Sequence, residues 1–280
     1  MKNKNKSKMS ENNEQRVSTF EKIHEYRQIC HDLLWKWGNT LRSFINKIRK
    51  RFWDFITDFK VVKIAGLLVI PGYLGLVFIG VIVAYLCGGT AQNPGEYFIW
   101  TNWISDLGGR AFTPAPYLYD IACILAGILT IPFTFYMEKL FAPLPNEPWS
   151  DNKYSRLRYR ISSYALLASI IGNLGYIGVG IFSEDRSPEL FGLIGAHGLM
   201  SSLAFGGFTF GAFFTGWLIV IYDVKVPKTI GFYGIFGPLI TIILFGVYSN
   251  PLWEWLLLFS ILLWIIPIAL VIIRKEELQV

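Results

Sequence analysis

Ser105, Asp106 and His197 are the residues of this chain whose types best suit chemistry. A histidine oriented by a carboxylate can take a proton from a hydroxyl, which turns a serine or a water into a nucleophile. Ser105 and Asp106 are adjacent. His197 is the one histidine beyond the N-terminal segment that holds His24 and His31. Ser201 stands four residues after His197, one turn on a helix. Plain structural roles stay open for each: Asp106 as a cap or a solvated charge, His197 as a hydrogen bond at a helix end. Asn102, Arg110, Asp120 and the run Glu184-Asp185-Arg186 are candidates to contact a substrate, although that run also reads as a wet acidic turn. Asn173, the most polar residue inside an apolar stretch, is a further candidate to contact a substrate. A zinc site built from several histidines is not available around His197. A cation site of Asp106, Glu184 and Asp185 alone has no second support. No metal or cofactor is expected.

These residues lie far apart in sequence, so something must bring them to one level. Six apolar stretches supply it, at about 64–86, 117–137, 161–182, 196–222, 230–248 and 252–273. A bilayer core of roughly 30 Å needs about 20 helical residues, and each stretch meets or nearly meets that length. Lys and Arg total 26, and all but Arg110 and Arg186 fall before the first stretch, in every second connection after it, or in the tail. The positive-inside rule then predicts both termini in the cytoplasm and the Ser105, Glu184 and His197 segments outside. The fold class expected is all-α, a polytopic membrane protein of six transmembrane helices in the cell membrane. The net charge of +6 then reports topology rather than nucleic-acid binding. Cys30, Cys87 and Cys123 are expected as free thiols.

Four regions follow. Residues 1–15 are polar and expected to be disordered. Residues 16–63 form a basic amphipathic segment, with apolar residues from Phe20 to Phe59 at steps of mostly three and four. A break is expected at Gly38-Asn39-Thr40, with Thr40 capping a second helix. This segment suits the inner membrane interface and its anionic lipids, with a coiled coil between protomers as the other reading. Residues 64–273 are the six-helix domain, and 274–280 a cytoplasmic tail. Between the first two spans, Tyr97, Trp100, Ile104 and Leu107 predict a short amphipathic helix over 96–107. Asp106 would sit in its last turn, where the helix dipole disfavours an anion by roughly 0.3–1 kcal/mol, so Arg110 or His197 should compensate. Gly207 and Gly211 should let helices approach closely.

The run Ile104-Ser105-Asp106-Leu107-Gly108 resembles the prokaryotic "domain of unknown function nine-nine-eight" membrane proteins. So does Gly180-Ile181-Phe182-Ser183-Glu184-Asp185 followed by Ala196-His197-Gly198. That group is loosely similar to the eukaryotic DRAM-type family. The resemblance covers about 64–273, and the segment before it is longer than the group would lead one to expect. It implies six spans and a membrane location, and brings no reaction, substrate or catalytic residue.

Three functions compete on these residues. The first is a protein that binds or processes lipid at the outer headgroup level, through Ser105, Asp106 and His197. The second is a non-catalytic sensor or scaffold that works through the basic N-terminal segment. The third is a small-solute transporter. A homo-oligomer fits any of them.

Overall fold

Long apolar runs bounded by Asp, Pro and Gly build the six helices that carry this fold. The computed structural model describes residues 34–88, 97–142, 153–190, 194–222, 224 and 226–277. The expected tail 1–15, the rest of the segment up to 33 with His24, Cys30 and His31, and Glu96 lie outside these residues. The chain divides into two compact units, Met1–Phe55 and Ile56–Val280.

The first unit is described through helix α1, 34–56. Leu34, Trp37, Leu41, Phe44, Ile45, Ile48 and Phe55 are all exposed. The break expected at 38–40 does not occur. Thr40 donates its hydroxyl to the Lys36 carbonyl at 2.9 Å, a bond to the preceding turn that leaves the helix continuous.

The second unit holds α2 (Phe59–Cys87), α3 (Tyr117–Phe141), α4 (Lys153–Ile181), α5 (Ala196–Ile221), α6 (Lys228–Tyr248) and α7 (Pro251–Glu277). All six are long and apolar enough to cross a membrane. Asp58 starts α2 by accepting the Lys60 amide at 2.7 Å. Ser249 takes a left-handed φ of 44° at the end of α6, and Pro251 opens α7 two residues later. The fold is all-α apart from a two-residue antiparallel pairing of β1 (Glu189–Leu190) with β2 (Ile194–Gly195).

From α2 to α7 each helix packs on the next in sequence, and α7 returns against α5 and, lightly, against α2. The closest pair is α4 and α5. A Cβ at Gly207 would lie 2.3 Å from the Gly172 amide nitrogen, and one at Gly175 2.5 Å from the Ala204 nitrogen. Small residues thus set backbone against backbone. Asn173, fully buried, ties α4 to α3: its amide donates to Thr134 at 3.0 Å and its oxygen accepts from Thr130 at 2.5 Å. The described parts of three connections, 97–116, 182–190 with 194–195, and 249–250, meet at one end of the bundle, here the acidic end.

Residues 97–109 are not the amphipathic α-helix expected there. They run through turns into a 3₁₀ helix, Ser105–Gly108. The cause is side-chain capture of backbone amides. Asn102 accepts the Phe98 amide at 3.1 Å, Asp106 accepts Trp103 at 2.9 Å, and Glu254 of α7 accepts Ile104 at 2.7 Å. Asn and Asp compete in this way with helical bonding. Trp100 is exposed while Tyr97, Ile104 and Leu107 are buried, so the four share no face.

Candidate functional site

The acidic end is knitted from the three connections and the helix ends they join. Asp106 is buried, and its carboxylate accepts from the Trp103 amide and, at 3.4 Å, from Asn102. Its other neighbour is Glu184, which meets it side chain to side chain. Burial, and then the negative charge of Glu184, push the Asp106 carboxyl from its ordinary 3.8 up to about 7. The predicted dipole penalty does not arise, because no α-helix ends at Asp106. Burial likewise raises the Tyr97 phenol, whose hydroxyl donates to the Trp103 carbonyl at 2.7 Å.

Arg186 is the strap of this end. Its guanidinium reaches Asp120 at 2.7 Å, Asp185 at 3.1 Å, Ser183 at 2.7 Å and the Gly108 carbonyl at 3.5 Å. It therefore joins α3, the 3₁₀ helix and the turn after α4. Asp185 also accepts the Arg110 amide at 3.1 Å, so Arg110 is held here through its backbone, with its side chain exposed. Gly108 presses on Asp120: a Cβ there would stand 3.2 Å from Oδ1, a buried oxygen without a partner among the described residues.

His197 lies in the first turn of α5, and its partners are not those expected. Its amide donates to Ser187 at 2.8 Å. Its Nδ1 stands 2.7 Å from the Phe182 carbonyl, and its Nε2 3.4 Å from the Ser201 hydroxyl. Among the described residues, no hydrogen bond joins His197 to Asp106 or to Ser105. Ser105 opens the 3₁₀ helix half-buried. The geometry therefore gathers Asn102, Asp106 and Glu184 in one group and Arg110, Asp120, Asp185 and Arg186 in a second. It pairs His197 with Ser201, and it leaves Asn173 deeper in the bundle.

Sequence reasoning missed Glu254 and Trp255. Glu254 is buried at the start of α7, and the Trp255 indole donates to the Asn102 carbonyl at 3.1 Å. An acid in the first turn after Pro251 explains Glu254 as a helix start, and nothing in that pattern points to the loop it holds.

Deeper in the bundle, at mid-span, lies a cavity of about 90 Å³. Ile70, Tyr73 and Leu74 of α2, Leu258 and Leu262 of α7, and Phe205 and Phe208 of α5 line it, and no polar atom faces it. Tyr73 and Tyr176, also in the wall, satisfy each other hydroxyl to hydroxyl. Thr130, lining the same space, bonds into the Asn173 bridge.

No family model, curated protein or solved structure matches this chain.

Among the described residues, no group of three or more His, Cys, Asp or Glu is placed to hold a metal ion. What the arrangement can do is hold an amphiphile. A carbon-lined space suits a hydrocarbon chain, and Tyr119, Cys123 and Trp255 pack between it and the polar cap. Leu258, in the cavity wall, is one helical turn below Glu254, in the cap.

Proposed function

We propose that this protein binds a membrane lipid, with an acyl chain in the cavity and the polar head beneath residues 97–109. The observation that carries the reading is a wholly apolar cavity lined by α2, α3, α5 and α7, of a size for part of a hydrocarbon chain. The chain would enter sideways between α2 and α7, the neighbours that touch only lightly. Native mass spectrometry of the detergent-purified protein tests it. One tightly held lipid per chain is expected, and Leu74→Trp, which fills the cavity, should release it. Equal retention by both proteins would overturn the reading.

We place the acidic end outside the cell and both termini inside, in the cell membrane. The distribution of Lys and Arg supports this. Membership of the six-span family named above is our reading too, supported by six helices of spanning length.

Helix α1 favours a second lipid contact, at the inner leaflet. At about 100° per residue, Leu34, Trp37, Leu41, Phe44, Ile45, Ile48, Phe52 and Phe55 fall within roughly 100° of the circumference, with Trp35 and Trp53 outside that arc. Arg42 and Arg49 border one edge of that arc, Lys47 and Arg51 the other. This is the pattern of a helix lying in an anionic interface. Its aromatic-rich apolar face and the adjoining span favour the interface over a coiled-coil seam. Fluorescence of bimane attached at Phe44→Cys should shift to the blue in nanodiscs containing anionic lipid and shift less in purely zwitterionic ones. The same spectrum in both would end the anionic-lipid reading.

A further inference from the structure

The stripe of α5 that lines the cavity continues upward into a serine and a histidine. Phe205 and Phe208 face the cavity. Ser201 lies one turn above Phe205, and His197 one turn above Ser201. Residues four apart share one face of a helix. A lipid whose chain rests against Phe205 and Phe208 therefore carries the polar end of that chain, its ester, up toward Ser201.

The hydrogen bonds around the histidine suit a base. A carbonyl only accepts, so the Phe182 oxygen, 2.7 Å from Nδ1, fixes the proton of the neutral ring on that nitrogen. Nε2 is then left with its lone pair, and the group it meets is the Ser201 hydroxyl, at 3.4 Å. Nucleophile, base and orienting group stand in order, and such contacts tighten only when substrate binds. The ring is also fixed from its own backbone, since the His197 amide is held by Ser187. Phe182 and Ser187 flank the turn after α4, so α4 and that turn position a ring carried by α5.

We propose that Ser201 and His197 form a nucleophile–base pair that cleaves the acyl ester of the lipid bound in the cavity. This rests on the lipid-binding reading above. The Ser201 oxygen bonds to the ester carbonyl carbon while its proton passes to His197 Nε2. The carbon–oxygen bond to the alcohol then breaks, and His197 returns the proton to the departing alkoxide. Water attacks the acyl-serine, again giving a proton to Nε2. The serine oxygen takes that proton back as the fatty acid leaves. Ser105 and Asp106 have no part in these steps.

The test uses the full-length protein in detergent and an alkyl fluorophosphonate, which exchanges its fluoride for a serine oxygen. Peptide mass spectrometry reads the labelled residue, and native mass spectrometry reads bound lipid in the same samples. Label is expected on Ser201, absent in Ser201→Ala and unchanged in Ser202→Ala. In His197→Gln it should form about 10²–10⁴-fold more slowly, as loss of a general base requires. Lipid should remain bound to Ser201→Ala, which shows that the variant is folded. Wild-type protein that holds lipid but takes no label at Ser201 would overturn the nucleophile and leave the binding reading standing. Label at Ser201 in protein that holds no lipid would support the pair and retire the lipid site.

Discussion

Asp106 keeps its proton up to about 7 because it is buried and faces Glu184. A free aspartate loses its proton near 3.8, so between these values the folded chain binds a proton that the unfolded chain has released. The contribution of Asp106 is therefore fully present below the lower value and is lost as pH rises through about 7. Thermal unfolding in detergent should show stability falling from pH 5 to 8. Asp106→Asn, which carries no charge to bury, should flatten that slope and unfold at the higher temperature at pH 8. A variant with the wild-type slope would remove Asp106 as its source. At this scale the sequence showed the residue types but not the partners. Ser105, Asp106 and His197 stood out by chemistry, yet the contacts of Asp106 and His197 come from chain positions that no spacing rule connects. The Ile104 amide meets Glu254, 150 residues away. Ser201 was within reach, since four residues from His197 means one helical turn.

The elements were far more legible. Uninterrupted apolar runs bounded by Asp58, Pro116 and Pro251 place helices α2, α3 and α7 to within a few residues of the stretches read from hydropathy. Small residues in α5 mark its close neighbour, and the packing has a sharp consequence. A side chain at Gly207 runs into the Gly172 backbone, whereas one at Gly206 meets nothing within 4 Å. Gly207→Leu should cost at least about 1–3 kcal/mol, or prevent folding, by forcing α4 and α5 apart. Gly206→Leu should unfold like the wild type. Equal stability of the two variants would contradict the α4–α5 contact. The element misread was 97–109, where an apolar period suggested an amphipathic helix. Three of its amides are instead claimed by Asn102, Asp106 and Glu254, and the last of these lies on another helix. Periodicity cannot register a competitor that arrives through the fold. The expected break in α1 failed for the opposite reason. Gly38 and Thr40 are weak helix formers, but Thr40 finds a partner inside the helix, at the Lys36 carbonyl.

At the scale of the molecule, six antiparallel helices bring three connections to one end, where Arg186 joins the first two and Glu254 ties α7 to the first. The seam between α4 and α5 sets backbone against backbone on one side of the bundle. On the other side α2 and α7 touch only lightly, which is where the proposed chain would enter. The cavity was not legible in the sequence, because a wall residue such as Phe205 looks like any apolar residue of a span until its neighbours are known. The central claim is that a lipid chain occupies this space. Photocrosslinking tests it most directly, with a phospholipid carrying a diazirine on its acyl chain and the full-length protein in nanodiscs. Crosslinks should map to Tyr73, Phe205 and Leu262, and excess unlabelled lipid should abolish them. Crosslinks confined to exposed residues such as Phe78, Phe236 and Leu263, with none in the cavity wall, would contradict the account.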